Sequence, residues 1–325
     1  MKKRIKKKWI LWLCLIPVIL FLFSAAGFTY YLYQKAVAAE NNMFQELNRG
    51  ENSVVRDDEK DNIQDSFSVL FIGVDQSENR KDQYGKAVRS DALMLATFNK
   101  QKQTIKLVSI PRDSYVYIPV EGKKDKITHA HAFGGVDGTV ETVEGLLDIP
   151  IDYYVKLDFE GFVSLIDVLD GIEVDVPITF KEQDSNDRPG AIRLEKGLQT
   201  LNGEEALALA RTRKIDSDAE RGKRQQLIME AILDKTLSFS TITKSGAILD
   251  AMGDHIKTNL TRTEMYDLLQ FGKNHSQLQI EKMQLAGSDI HINGIYYYQL
   301  DDGQLDEIIK TLQQHLGYQP DKRVS

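Results

Sequence analysis

The stretch SVLFIGV, Ser68 to Val74, is a short apolar run that predicts a buried β-strand. Two similar runs follow it, ALMLATF at 92–98 and IKLVSI at 105–110. The polar segment NKQKQT between those two runs is short enough to join them as a hairpin. Together the three runs predict the first part of a β-sheet.

Strands and helices mix from this point to about residue 316. Further strands are predicted at 151–157, 172–178, 254–258 and 280–285. Helices are predicted at 136–147, 159–171, 204–211, 218–237, 242–252, 261–272 and 301–316, with Asp218 as the cap of the fourth. This mixture predicts one α/β domain, residues 66–318, in which a central mixed sheet carries helices on both faces.

The N-terminal residues predict a membrane anchor. A basic leader, residues 1–9, contains six Lys or Arg and no acidic residue, and about twenty-five uncharged residues run from Trp9 to Tyr33. Because about twenty apolar residues span a bilayer, we predict a transmembrane helix at 10–33 with the leader in the cytoplasm. The polar residues 34–65 then predict an extracellular stalk. The alternative is a cleaved signal peptide, for which Ser24-Ala25-Ala26 is a poor cleavage site.

The charge balance of the outer part excludes nucleic-acid binding by bulk charge. Without the six cations of the leader, the chain holds 35 Lys and Arg against 48 Asp and Glu, a net charge of −13. A domain of that charge does not attract a polyanion. The only cysteine, Cys14, lies in the predicted anchor, so no disulfide or thiol chemistry is expected outside the membrane.

A basic cluster stands out from this acidic background in ARTRKIDSDAERGKRQQ, Ala210 to Gln226. Its last three cations open a predicted helix, where unpaired backbone N–H groups and the helix dipole already favour an anion. The helical spacing aligns Arg221 and Gln225 with Ile228 and Ile232, so both polar residues are predicted to face inward. A helix N-terminus with several arginines predicts a phosphate or pyrophosphate site. The alternative is a solvated basic end, neutralised by nearby carboxylates.

Other candidate residues lie at strand ends. Asp75 follows the first strand and Asp91 opens the second, so both carboxylates can face one point if the strands are neighbours. Such a pair beside a phosphate is a usual Mg²⁺ site, whereas turn or cap roles are the alternative. Arg112 leaves the third strand at the same edge, and a surface ion pair with Asp113 is its alternative. His129 and His131 are predicted to be ordinary polar histidines, since no further zinc ligand clusters with them.

Several of these segments resemble the LytR-CpsA-Psr family over roughly residues 67–237. They are GVDQS, RSDALMLATFN, VSIPRDSYV, KITHAHAFGG, TVEGLLDIPIDYYVKLDFEGF, LNGEEALALARTRK and the pattern DxxRxxRQQ at 218–226. Near the C-terminus, INGIYYYQ is similar to the tails of the wall teichoic acid members.

The resemblance implies an extracellular, membrane-anchored, Mg²⁺-dependent phosphotransferase. Its expected reaction moves an anionic glycopolymer, wall teichoic acid in this branch, from a polyprenyl-pyrophosphate carrier to a muramic acid hydroxyl of peptidoglycan. The resemblance assigns Asp75 and Asp91 to the metal. It assigns the pyrophosphate to Arg89, Arg112, Lys126, Arg211, Arg213, Arg221 and Gln225. Catalytic roles are expected for Asp91, Arg112, Asp218 and Arg221, and either Asp91 or Asp218 could accept the proton of the acceptor hydroxyl.

Two other functions are compatible with this pattern, and a third is not expected. A non-catalytic scaffold or regulator of envelope synthesis would bind the same ligand without turning it over. Simple hydrolysis would replace the acceptor hydroxyl with water. A transcriptional regulator would need a different charge balance and a DNA-binding motif.

Overall fold

The computed structural model describes residues 42–50, 53, 55, 65–75, 88–212, 218–236, 253, 255–272 and 278–319. The predicted leader, the predicted anchor and the predicted helix at 242–252 lie outside these residues, and the anchor stays a prediction. Within the described ranges, no helix combines the length and apolar character needed to cross a membrane.

The strands are β1 (Ser66–Val74), β2 (Ser90–Asn99), β3 (Thr104–Ile110), β4 (Tyr115–Ile118), β5 (Lys123–Lys126), β6 (Tyr153–Asp158), β7 (Ile172–Val176), β8 (Phe180–Glu182), β9 (Ile192–Leu194), β10 (Gly197–Leu201), β11 (Ile256–Thr258), β12 (Gln279–Gln284), β13 (Gly287–Ile292) and β14 (Ile295–Leu300). The helices are α1 (Thr128–Leu147), α2 (Phe159–Val168), α3 (Gly203–Arg211), α4 (Asp218–Thr236), α5 (Arg262–Gly272) and α6 (Asp302–Leu316).

A mixed sheet in the order β11-β6-β1-β2-β3-β12 forms the centre of the domain. Strands β1 and β2 pair antiparallel, as do β2 and β3, which confirms the predicted hairpin. Strand β6 pairs with β1 in parallel, and β11 pairs antiparallel with β6 as the edge strand. The first strand, SVLFIGV, is therefore a central strand with neighbours on both sides.

Helices cover both faces of this sheet, as predicted. Alternate residues of β1 point to opposite faces, so Leu70 and Ile72 enter one core while Phe67 and Val69 enter another. Helices α1 and α6 cover the first face. Helices α4 and α5 cover the second. The central strands are mainly apolar because both of their faces are covered by helices.

A smaller apolar core lies beside the sheet, between helices and short hairpins. Helices α2, α3 and α4 pack there against the β7–β10 pair and the β8–β9 pair. The paired strands β4–β5 and β13–β14 form two further hairpins. Apart from β7, the sequence did not predict these strands, since each is only three to six residues long.

Helix α1 begins at Thr128, eight residues before the predicted start at Val136. The segment THAHAFG is already helical, and a break at Gly135 (φ 60°, ψ −144°) joins it to the predicted part. Only glycine adopts that backbone conformation without strain, and the predicted helix covers only the part that follows this break.

His315 of α6 links two strands and is expected to make the fold sensitive to acid. Its Nδ1 lies 2.9 Å from Thr97 Oγ1 and its Nε2 lies 2.7 Å from Thr104 Oγ1. Burial, with the nearby charges of Lys106 and Lys102, lowers the pKa of His315 to about 4. In the unfolded chain the imidazole takes up its proton at about pH 6.5, whereas in the folded protein it does so only at about pH 4. The free energy of unfolding should therefore fall by roughly 2–3 kcal/mol as the pH drops from about 6.5 to about 4.

Urea unfolding at about pH 7 and about pH 4.5 measures this loss for the wild type and for His315→Gln. The glutamine amide can still hydrogen-bond but does not titrate, so the variant should lose less stability than the wild type between the two pH values. An equal loss in both proteins would assign the acid sensitivity to other groups.

Candidate active site

A cavity of about 720 Å³ lies between the second face of the sheet and helices α2, α3 and α4. It crosses the sheet from the ends of β1, β2 and β3 to the edge strand β11. Its polar end carries the side chains of Asp75, Arg89, Asp91, Arg112, Arg211, Arg221 and Gln225. Its apolar end is lined by side chains such as Phe71, Val155, Leu157, Phe162, Leu165, Ile232 and Ile256. The site is therefore amphipathic, with most of its charged side chains at one end and mainly hydrocarbon at the other, where Asp158 is the exception.

The two predicted metal-site carboxylates enter the cavity from neighbouring strands. Asp75 follows β1 directly, and Val74 pairs with Ser90 on β2. The register shifts by one residue here, since Gly73 pairs with Ala92, and Asp91 is the extra residue of the resulting β-bulge. Bulges re-aim side chains, which explains how a residue inside a strand can face the cavity. Both carboxylates line it.

Arg112 belongs to a chain of alternating charges at the end of β3. Its Nη1 donates to Asp91 Oδ1, and its Nε lies 3.5 Å from Asp113 Oδ2. The other oxygen of Asp113, whose side chain is nearly buried, lies 2.9 Å from Lys126 Nζ. Lys126 also lies over the rings of Tyr296 and Tyr297. Asp113 thus fixes both cations, although only Arg112 lines the cavity.

Arg89 is positioned by the start of α1. Thr128 Oγ1 donates to the carbonyl oxygen of Ser90 at 2.6 Å, and His131 Nδ1 lies 2.7 Å from that of Val88. These bonds hold the backbone on both sides of Arg89. Burial lowers the pKa of His131, which favours a neutral imidazole. The motif KITHAHAFGG therefore acts here as a backbone clamp.

Helix α4 carries the predicted stripe into the cavity: Arg221, Gln225, Ile228 and Ile232 all line it. Arg221 is only 5% exposed. The next residue, Gly222, touches β3, because a Cβ atom there would lie 2.6 Å from Ser109 Oγ. Gln226 Nε2 adds a hydrogen bond of 2.6 Å to the carbonyl oxygen of Met283 on β12. The close packing of α4 on the sheet therefore sets the position of Arg221.

Helix α4 also binds the C-terminal end of α3. Arg224, 2% exposed, donates to the carbonyl oxygens of Leu209 and Thr212 at 3.2 and 2.7 Å. The carbonyls at a helix C-terminus need such donors and favour a cation. Arg224 is thus structural, whereas Arg211 lines the cavity and donates to the carbonyl oxygens of Gln183 and Asp184.

Three predicted site residues are not placed in the cavity. Lys126 binds Asp113 outside the cavity wall, so a direct bond to pyrophosphate stays a prediction. Asp218 is the first residue of α4, and its side chain lies outside the described part of the structure. Arg213 lies in the undescribed stretch 213–217.

The sequence did not predict the apolar end of the cavity or the lining residues Glu182 and Gln183. The apolar residues come from five or more elements that are distant in sequence, and each also resembles a core residue. Glu182, 5% exposed, and Gln183 line the cavity from the end of β8. A three-residue strand gives too short a pattern to mark them.

The donor set at the polar end suits a hydrated divalent cation held jointly with a phosphate. Mg²⁺ is usually bound by one or two carboxylates plus substrate phosphates, and Asp75 and Asp91 supply that number. In the described part of the chain, no three His, Cys, Asp or Glu side chains come close enough to form a metal cage. The adjacent arginines match the bidentate geometry of phosphate oxygens.

Comparisons with known proteins identify the family and the fold of this chain. The model of the LytR_cpsA_psr family matches residues 28–314. The chain is 44% identical over 318 residues to the polyisoprenyl-teichoic acid–peptidoglycan teichoic acid transferase TagT of Bacillus subtilis strain 168, covering 97% of both chains.

Two solved structures extend the similarity to the fold. One is TagT bound to LIIa-WTA, with 44% identity, a TM-score of 0.71 and coverage of 84% of this chain and 99% of that one. The other is the LytR-CPS2A-psr family protein YwtF (TagT) with bound octaprenyl pyrophosphate lipid. It has 41% identity and a TM-score of 0.66, again with coverage of 84% of this chain and 99% of that one.

Asp113→Asn is expected to disturb Arg112 without removing any residue from the cavity. The amide keeps the shape but loses the negative charge that faces Arg112 Nε and Lys126 Nζ. We expect roughly ten-fold weaker binding of inorganic pyrophosphate, measured by calorimetry. The reason is that Arg112 would be held in place by a weaker neutral contact instead of an ion pair. Asp125→Asn, next to Lys126 on β5, is the matched control. Equal affinity of wild type and Asp113→Asn would show that Asp113 does not position Arg112.

Gly222→Ala tests the close approach of α4 to the sheet. The added methyl group would collide with Ser109, so the N-terminal turn of α4 should shift and Arg221 with it. We expect a loss of about 1–3 kcal/mol in the free energy of unfolding, together with weaker pyrophosphate binding. The double variant Gly222→Ala, Ser109→Gly removes the clashing side chain and should recover part of both. If the single variant matches the wild type, the contact does not set the position of α4.

Proposed function

The chain belongs to the LytR-CpsA-Psr family, and we propose that it transfers an anionic glycopolymer, wall teichoic acid, from a polyprenyl-pyrophosphate carrier to peptidoglycan. The observation that carries this proposal is the single cavity with a cationic end and an apolar end. Only a ligand with a polyanionic group attached to a long hydrocarbon fills both parts. The names of two relatives, a polyisoprenyl-teichoic acid transferase and a structure with bound octaprenyl pyrophosphate lipid, describe such a ligand.

In this proposal the pyrophosphate binds among Arg89, Arg112, Arg211, Arg221 and Gln225. Arginines pair with phosphate oxygens through two parallel N–H bonds, which fixes orientation as well as charge. The prenyl chain then follows the apolar lining across β1 and β6 towards β11. The polymer and the acceptor sugar remain outside the hydrocarbon part of the cavity.

The proposed reaction exchanges one phosphorus–oxygen bond for another. The oxygen of a muramic acid hydroxyl attacks the phosphorus that carries the glycopolymer and forms a phosphodiester. The bond from this phosphorus to the bridging oxygen breaks, and polyprenyl phosphate leaves with the bond's electron pair. Negative charge grows on that leaving group, and Arg112 and Arg221 are positioned to stabilise it.

Mg²⁺ is proposed as the cofactor, held by Asp75 and Asp91. When bound, it would supply positive charge to the pyrophosphate oxygens. The pairing of Asp91 with Arg112 orients this carboxylate towards the cavity. We propose that either Asp91 or Asp218 accepts the proton of the attacking hydroxyl.

The proposed location is the cell membrane, with one anchor helix at 10–33, the N-terminus in the cytoplasm and the catalytic domain outside. A lipid carrier and peptidoglycan meet at the outer leaflet, so an anchored domain would have both substrates within reach. The basic leader and the uncharged run that follows it support this orientation.

Polymer transfer by the full-length protein in lipid vesicles tests the proposal. A polyprenyl-pyrophosphate teichoic acid precursor and peptidoglycan fragments would be supplied with Mg²⁺ or with EDTA. We expect transfer with Mg²⁺ only, and a loss of about 10²–10³-fold in Arg221→Ala and Asp75→Asn. Arg221→Ala removes a positive charge that would stabilise the leaving phosphate, and Asp75→Asn removes a negative charge that would hold Mg²⁺. Arg112→Lys should also lose activity, since an ammonium cannot make the two-pronged contact.

Lys223→Ala is the matched control, because Lys223 lies two residues from Arg221 on the exposed side of α4. It should keep wild-type transfer. Binding of the precursor without transfer to any acceptor would favour a non-catalytic scaffold. Release of the polymer to water in the presence of acceptor would favour hydrolysis.

A further inference from the structure

We propose that the sheet edge around Met43, Phe44 and β11 is a membrane-contacting surface, held against the outer leaflet by residues 42–50. We call this segment the strap. The proposal rests on the membrane location given above and adds which surface of the domain meets the bilayer. Its consequence is that the apolar end of the cavity lies next to the lipid from which the prenyl chain enters.

The strap is fixed along its length to the domain. Phe44 forms a β-bridge with Thr258 of β11, and the N–H of Gln45 donates to the carbonyl oxygen of Thr258 at 2.8 Å. Tyr154 Oη donates to the carbonyl oxygen of Gln45 at 2.7 Å. The strap therefore covers the edge strand of the sheet and pairs with it.

The other end of the strap is held by charged and polar side chains of α1. Asn48 makes two hydrogen bonds to the carboxylate of Asp137, at 2.7 and 2.9 Å. Arg49 forms a two-pronged pair with Glu144, a carboxylate that is fully buried. A buried charge is costly without its partner, so this pair holds the strap firmly in place.

The strap also backs the apolar end of the cavity. Met43, 5% exposed, packs against Ile256, Val155, Leu157 and Leu165. Those four side chains line the cavity. The edge strand lies three strands from β2, a distance of about 14 Å, so the cavity runs from the charged end directly towards the strap.

The length of chain before the strap limits where the bilayer can be. The uncharged run that predicts the anchor ends at Tyr33, and the strap begins at Asn42. The intervening residues span at most about 30 Å even when fully extended. The bilayer surface therefore lies within that distance of Met43, on the same edge of the sheet as the apolar end of the cavity.

Exposed aromatic side chains occur at this edge. Phe44 is 40% exposed on the strap, and Tyr266 is 58% exposed on α5, next to Met265, which packs with Met43. Aromatic rings of this kind favour the interface between lipid headgroups and hydrocarbon. Lys257, on β11, donates to the carbonyl oxygen of Asn42 and adds a cation for anionic headgroups.

Depth-dependent fluorescence quenching tests this surface in the full-length chain. Cys14 is replaced by Ser, and a single cysteine at Phe44→Cys, Tyr266→Cys or Ile295→Cys carries an environment-sensitive dye. Each protein is reconstituted in vesicles of phosphatidylglycerol and phosphatidylethanolamine with brominated acyl chains. Ile295, 52% exposed on the β13–β14 hairpin, is the control for an exposed apolar side chain elsewhere.

We expect the dyes at positions 44 and 266 to lose most of their emission and the dye at 295 to keep it. Quenching at 295 but not at 44 and 266 would overturn the proposal, as would equal quenching at all three sites. If the dyes at 44 and 266 report an apolar environment but emit equally with and without brominated lipid, a protein partner or a second copy covers this surface instead. Wild-type protein labelled at Cys14 reports the anchor, and a lack of quenching there would remove the tether on which the proposal depends.

Lengthening the tether separates this inference from the proposed transfer activity. A Gly-Ser insertion of about 20 residues before Asn42 lets the domain leave the bilayer surface while every site residue stays unchanged. We expect less quenching at 266 and a higher KM for a long-chain precursor embedded in the vesicle, with unchanged kcat. A short-chain, water-soluble precursor should be used equally well by both proteins. If the insertion variant shows the same quenching and the same KM as the original chain, the strap does not have the proposed role. If the original chain does not transfer the soluble precursor at all, the proposed transfer reaction itself is wrong.

Discussion

The burial of cationic side chains at one end of an apolar cavity is the constraint on which the rest of this structure depends. A buried charge costs several kcal/mol unless hydrogen bonds or opposite charges compensate it. Arg224 meets that requirement through the carbonyls at the end of α3, and Arg112 meets it through two carboxylates. Arg221, at the N-terminus of the same helix as Arg224, lines the cavity, where an anionic ligand would add to its stabilisation.

The fold supplies the rigid frame that this arrangement needs. Tight packing of α4 at Gly222, the bulge at Asp91 and the clamp of α1 on the backbone around Arg89 each fix one part of the polar end. These features come from separate elements that meet where β1 and β3 end and β2 begins. Electrostatic stabilisation is effective only when charges are held in place before the reaction, so rigidity and chemistry are linked here.

The central strands and part of the polar end could be predicted from the sequence, because local residue patterns indicate them. The apolar runs located the central strands, and the spacing of Arg221, Gln225, Ile228 and Ile232 located the inward side of α4. The role of His131 could not be predicted, because its partner, the carbonyl of Val88, lies 43 residues away. The apolar end of the cavity could not be predicted either, since its side chains come from distant elements and look like core residues.

The structure joins a cavity with an apolar end to the sheet edge that the strap covers. The central claim is that one ligand occupies both ends of this cavity. A crystal structure of the protein with a polyprenyl pyrophosphate tests it most directly. The account predicts that the two phosphates lie among Arg112, Arg221 and Gln225 and that the hydrocarbon runs past Leu157 towards Ile256. Phosphates bound elsewhere, or a chain that leaves the cavity away from β11, would contradict it.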